Sequence, residues 1–145
     1  MRELSKGEAA KLEGLLKELA AHHNEVSVNF AGKYPKREVS VTLASFEKAL
    51  ESGSSRIAVI EDDDGIQGFC KIDITGDEGK LDYLIVSKIL RGSGYGSALV
   101  NWALDVFRQS GVRTIEVKVV DGNDAQAFYE KLGFRVASHI LRMDI

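Results

Sequence analysis

Three glycines in RGSGYG, Arg91–Gly96, stand where an apolar run (Leu81–Leu90) gives way to a stretch with helical spacing (Ser97–Gln109). A strand that ends in glycines and enters a helix aims several backbone N–H groups at one spot. The first-turn donors of the helix are unpaired, and its dipole favours an anion there. Glycine permits positive φ and lets phosphate oxygens approach the backbone. The loop Arg91–Ser97 therefore reads as a pyrophosphate cradle, with a merely tight glycine turn as the plainer alternative. A Walker loop needs Gly-Lys-Ser/Thr at its end, whereas Gly96 is followed by Ser97 and Ala98. The dinucleotide fingerprint, started at Gly92, requires glycine where this chain has Ser97, and expects a parallel setting near the N-terminus. Kinase, ATPase, nicotinamide and flavin readings are disfavoured.

Other reactive side chains are few. Cys70 is the single cysteine, so no intrachain disulfide and no cysteine-based metal site is expected, and it reads as a small buried residue. His22 and His23 are adjacent at a polar helix end and read as solvated, while His139 is far off in sequence. No metal is expected. The acidic run Glu61–Asp64 reads as a solvated turn.

The elements that would position these residues follow from periodicity. Met1–Leu4 suits a short edge strand. Lys6–His22 reads as a helix, with Ala10, Leu12, Leu15, Leu16 and Leu19 as its apolar stripe. Asn24–Arg37, which holds Pro35, is a loop or short strand. Thr42–Leu50 reads as a helix capped by Thr42. RIAVIE and IQGFCKIDI flank DDDG as a hairpin, and GDEGK leads into LDYLIV, giving an antiparallel meander. Gly94–Gln109 is a helix with Tyr95, Ala98, Leu99, Trp102, Ala103 and Val106 on one face, ended by Gly111. RTIEVKV alternates, with Ile115, Val117 and Val119 inward. NDAQAFYEKLG is a short helix closed by Gly133, and FRVASHILRMDI is a last strand, or two with a bend near Ala137–Ser138. The strand–helix–strand crossover makes the fourth and fifth strands parallel neighbours in an otherwise antiparallel sheet.

Composition sets outer limits. The chain has 145 residues, 44% apolar and 28% charged, with net charge −3. That fits one domain over residues 1–145 with a real core. No apolar run approaches the ~20 residues that cross a bilayer, and MRELSKGEAAKLEGLLKELA lacks the apolar middle of a signal peptide. A cytoplasmic protein without membrane contact is expected. No basic block or stripe is present to neutralise phosphates, so nucleic acid is not an expected partner.

The segment LIVSKILRGSGYGSALV resembles the acetyl-CoA-binding segment of the GNAT superfamily of N-acetyltransferases. Its signature is R/Q-x-x-G-x-G/A, and Arg91, Gly94 and Gly96 stand at the fixed positions. AQAFYEKLGF, Ala125–Phe134, is similar to the family's later helix motif, one helix and one strand further on. The resemblance implies a mixed α/β, three-layer fold: a mostly antiparallel sheet, a parallel fourth and fifth strand at the CoA site, and about four flanking helices. It implies that the N–H groups of Arg91, Gly92, Ser93, Gly94, Tyr95, Gly96 and Ser97 bind the pyrophosphate of acetyl-CoA, the cosubstrate. The main chain of Leu84, Ile85 and Val86 would pair with the pantetheine amides. Tyr129 matches the tyrosine that protonates the departing thiolate. The family's asparagine lies seven residues before that tyrosine, where this chain has Gly122; Asn123, six before, is the nearest candidate for contact with the pantetheine arm.

The reaction so implied is direct acetyl transfer to a primary amine, carried by a small molecule or a protein, with no covalent intermediate. Members often use a carboxylate on the central strands to accept the amine's proton. Asp82, placed by strand alternation on the face of Leu84 and Val86, is the first choice, and Asp73 the second. The acceptor groove would be built from His22–Val41 and Ala137–Arg142, with Glu25, Lys33, Tyr34, Lys36, Arg37, His139 and Arg142. A CoA-binding regulatory module without catalysis is the alternative function. Members of the family pair through late strands or sheet edges, and ASHILRMDI could serve a possible homodimer.

Overall fold

Strand alternation organises the molecule. In β2 (Ser55–Asp62) Ile57 and Val59 point to one face, Ala58 and Ile60 to the other, and all four are buried. A sheet covered on both faces needs apolar residues at every position, and the centres of β2 and β3 supply them. The computed structural model describes residues 1–145. Its sheet has the order β1-β2-β3-β4-β5, with β1 at Arg2–Glu3, β3 at Gly65–Thr75, β4 at Glu78–Val86 and β5 at Thr114–Val117. Only β4 and β5 run parallel, as the crossover requires. The mixed three-layer fold expected from the sequence is the observed one.

Helices α1 (Glu13–Val26) and α2 (Val39–Ser52) cover one face. There Leu12, Leu15, Leu16 and Phe46 pack on Ile57, Val59, Phe69 and Ile85. Helix α3 (Tyr95–Gln109) covers the other, setting Leu99, Val100, Ala103, Val106 and Phe107 on Cys70, Ile72 and Leu81. Tyr95 lies outside this buried face, and Val100 and Phe107 extend it. Helix α4 (Ala125–Lys131) closes the same side near β5.

Three elements depart from the sequence reading. A 3₁₀ turn at Ala9–Leu12 precedes α1, which runs on to Val26 instead of ending at His22. The segment after it is the loop of the two readings offered, with no strand. Helix α2 begins at Val39, so Thr42 is a buried interior residue and not the cap; the N–H groups of Val41 and Thr42 donate to the Glu38 carbonyl. The last segment, residues 134–145, forms no strand. Its alternation is suited to a sheet, yet β5 offers only four residues and the segment pairs with none of them. Ile140, Leu141, Met143 and Ile145 are left exposed.

Candidate active site

Strand β5 follows β4 from Glu78 opposite Thr114 to Leu81 opposite Val117 and then leaves it. Beyond that point Asp82–Val86 and Lys118–Val120 line a cavity of about 810 Å³. Leu84, Ile85 and Val86 still pair with Cys70, Phe69 and Gly68 of β3 on their other side. Their β5-facing edge has no strand partner, so an extended ligand could supply one. The three residues expected to act through main chain therefore stand along the cavity with that edge open.

One end of the cavity reaches Arg91 and Gly96 in the glycine loop. Gly92 (φ 82°) and Gly94 (φ 83°) adopt the left-handed conformation that lets the chain turn sharply into α3. The N–H groups of Gly92, Gly94, Tyr95, Gly96 and Ser97 make no hydrogen bond within the chain. The Ser93 N–H is spent on the Leu90 carbonyl (3.3 Å), that of Arg91 on Lys88 (3.4 Å). The Arg91 Nε donates to the Val86 carbonyl at 3.2 Å, fastening the loop to the end of β4. Free donors at a helix start form an anion site. Of the expected set, Ser93 and Arg91 therefore offer no free backbone donor.

Tyr129, on α4, is buried between the rings of Phe128 and Phe134, with centroids 5.2 and 5.6 Å away, and lines the cavity. Burial, with a smaller effect from Cys70, pushes its phenol well above the ordinary value, so it stays a proton donor at neutral pH. Asn123 also lines the cavity, its Oδ1 accepting the Ala125 N–H at 2.9 Å at the start of α4. Gly122 cannot carry the family's asparagine here. Its φ is 77°, and a Cβ would fall on the Val26 carbonyl oxygen at the end of α1. Asp121 makes that approach tight by accepting from Ser27 Oγ (2.7 Å), Val28 N–H (2.9 Å) and Asn29 N–H (2.8 Å).

Asp82 reaches the cavity by a route the sequence hides. A bulge shifts the β3–β4 register between Lys71/Tyr83 and Ile72/Leu81, leaving Asp82 unpaired. The extra residue breaks the alternation. Leu84 and Val86 pack toward α3, whereas the Asp82 carboxylate accepts from Lys71 Nζ at 2.6 Å. Asp82 and those two residues do not share a face. The buried Lys71 ammonium lies 5.1 Å over the Phe46 ring and also donates to Asp73 at 2.7 Å, which in turn accepts from Ser55 Oγ. Lys80 approaches Asp82 at 3.3 Å. Asp73 is bound into this group without lining the cavity, so it is not an alternative to Asp82.

The cavity is also lined by His22, His23, Tyr34, Lys36 and Arg37. Glu25, Lys33, His139 and Arg142 do not line it; Arg142 lies over Phe30 and pairs with Asp144 at 2.8 Å. The two histidines are half-buried, contrary to the solvated reading. Leu16, Leu19, Ala20 and His23 recur at helical spacing, a signal that would have placed His23 on the apolar stripe. Its imidazole meets Tyr34 edge-on at 5.1 Å, and burial, then the charge of His22, hold it below the ordinary histidine value. Lys71 gave no signal, because a lysine within an alternating strand reads as a solvent-facing residue. Cys70 is buried and its thiol is pushed up to about 12 by that burial, which suits packing and not attack.

These features meet known proteins at the level of sequence and of fold. The family model of the acetyltransferase (GNAT) domain matches residues 53–136. A mycothiol acetyltransferase of Corynebacterium glutamicum is 36% identical over 102 residues, covering 68% of this chain and 35% of that protein. A ribosomal protein bS18-alanine N-acetyltransferase of Haemophilus influenzae is 30% identical over 69 residues, covering 48% and 47%. This chain thus matches half or less of each of these relatives. In fold, it superposes on a tetramutant of the BH1408 protein of Bacillus halodurans with TM-score 0.80 at 19% identity, covering 99% and 98% of the two chains. With more than half of its residues inside the family model, the chain belongs to the GNAT acetyltransferase family.

Proposed function

We propose that this chain is an N-acetyltransferase, one domain over residues 1–145, that moves an acetyl group from acetyl-CoA to a primary amine. The reading is carried by one juxtaposition: the free N–H groups of Gly92, Gly94, Tyr95, Gly96 and Ser97 stand beside the opening between β4 and β5. The loop suits the pyrophosphate, the free edge of Leu84–Val86 the pantetheine amides, and Asn123 the far part of that arm. The amine nitrogen attacks the thioester carbonyl, the C–S bond breaks, and the thiolate takes the Tyr129 proton. The proton that the attacking nitrogen sheds passes to Asp82, directly or through water, and solvent then returns a proton to Tyr129 and takes one from Asp82. No acyl-enzyme is formed. The acceptor amine belongs to a small molecule or a protein, and the cytoplasm is the proposed compartment.

Thermal unfolding with acetyl-CoA, CoA, NAD and ATP in parallel tests this reading. A ligand at ~100 times its dissociation constant adds about 2.7 kcal/mol, several degrees for a domain of this size. Acetyl-CoA and CoA are expected to stabilise and the other two not to. Equal response to NAD or ATP, or none to any, removes the proposal. No helix is long and apolar enough to cross a membrane.

A homodimer is part of the same proposal. Its support is the exposed apolar set Ile140, Leu141, Met143 and Ile145, together with the unpaired outer edge of β5. Sedimentation should give about twice the 15.9 kDa chain mass. A species of chain mass alone at all concentrations ends it.

A further inference from the structure

We infer that the acceptor is a small amine that carries its own carboxylate. The inference rests on the acetyltransferase reading and adds the acceptor's chemical class. It comes from charge along the cavity beside Tyr83 and Asp82. Asp82, the carboxylate proposed to take the amine's proton, is already matched: Lys71 lies 2.6 Å from it and Lys80 3.3 Å. Lys71 shares its charge with Asp73, at 2.7 Å, so two lysines offset two aspartates. Lys36 and Arg37 line the same cavity and have no carboxylate within ion-pairing distance. Arg37 lies near Tyr83, where its charge opposes the upward shift that burial and Asp82 impose on that phenol. His23 adds no strong charge, since burial favours its neutral form.

The cavity lining is therefore net positive, with Lys36, Arg37, Arg91 and Lys118 against Asp82 and Asp124, and the charge of Asp82 is already matched. A polyamine, or any acceptor whose only charges are ammonium groups, would meet Lys36 and Arg37 with like charge and find Asp124, at the start of α4, as the one lining carboxylate without an ion pair. An amine bearing a carboxylate places its anion on Lys36 and Arg37 and its nitrogen toward Asp82. Arg37 offers the planar fork that binds carboxylates in two-point fashion. The bare positive pair rewards one end of the acceptor and the Asp82 floor the other. A small amino acid or a related amino-carboxylate meets both demands.

The test uses matched acceptors: common amino acids, the corresponding amino-acid amides, and spermidine, with rates corrected for the free-amine fraction. The wild-type chain is expected to prefer acid over amide in kcat/KM by about tenfold at low salt, since two partly screened cations act on one anion. That ratio should fall toward unity in the Lys36→Gln/Arg37→Gln double variant and in about 0.5 M salt. Both side chains are exposed, so the variant folds. Amides or spermidine used as well as the acids, or a ratio unchanged in the variant, overturns the inference. If no acetyl group moves at all, calorimetric dissociation constants for the same acid–amide pairs give the same ratio. Failure of transfer and failure of acceptor charge are thus read separately.

Discussion

Replacing Tyr129 by phenylalanine lowers kcat by about 10²–10⁴-fold, the range lost with a positioned general acid. The expectation is sharp because the hydroxyl does little else. The Tyr129 hydroxyl makes no hydrogen bond within the chain, and the ring is held by Phe128 and Phe134, contacts that phenylalanine keeps. Stability and the affinity for acetyl-CoA should therefore change little, and the loss should fall on the chemical step. The pH profile gives a second reading. Burial raises the phenol's pKa, so the acid form is complete below its ordinary value near ~10 and is lost only above it. Tyr129 should accordingly impose no alkaline limb between neutrality and about pH 10 in the wild-type enzyme. In the variant the departing thiolate must be protonated by water. Turnover equal to wild type across pH would reduce Tyr129 to a packing residue.

The largest loss of stability is expected at Gly122. Gly122→Ala places a methyl group on the Val26 carbonyl oxygen, with Val28 Cγ2 at 3.1 Å, at φ 77°. Neither obstacle is flexible, since one is backbone and the turn is tied to α1 by Asp121. Those three bonds, led by the Asn29 N–H, also hold the Asp121 carboxyl below the usual range. The end of α1 and the turn after β5 must separate to admit the Cβ. A cost of at least about 3 kcal/mol follows from overpacking added to a strained φ. Gly111→Ala is the control: φ is 75°, but nothing lies within 4 Å of the added carbon. It should cost about 1–2 kcal/mol, the conformational part alone. Urea titration of the two variants separates clash from dihedral strain. Equal losses would mean that the α1 end yields freely.

The sequence was most readable where one local rule coincided with the tertiary answer. Helix α3 begins after Gly94 and ends before Gly111 as predicted, because period and glycine punctuation agree. The meander was equally clear, since acidic and glycine-containing turns separate runs that must cover two faces. Helix α2 was misplaced at its start because its first donors use the Glu38 carbonyl and no side chain, so Thr42 offered a false cap. The C-terminal segment carries a strand pattern without a strand, as pairing depends on a neighbour that periodicity does not supply. In the site, the glycine loop was legible from composition alone. Asp82 lines the cavity, though not on the face that alternation gives it, because a one-residue bulge leaves no mark in the pattern. Its buried lysine was not found at all.

That lysine also bears on how this sequence can change through descent. Ser55, Lys71, Asp73 and Asp82 form one bonded set across β2, β3 and β4. Removing Lys71 leaves two carboxylates facing each other, and removing Asp82 leaves a buried ammonium with half of its compensation. Such partial removals are the costly ones, while complete apolar replacement is often tolerated. Single steps away from the set therefore lead downhill in fitness even where the final combination would be sound. The four positions form one heritable character, kept together in a lineage or exchanged together, and they would covary as a block among descendants of this chain.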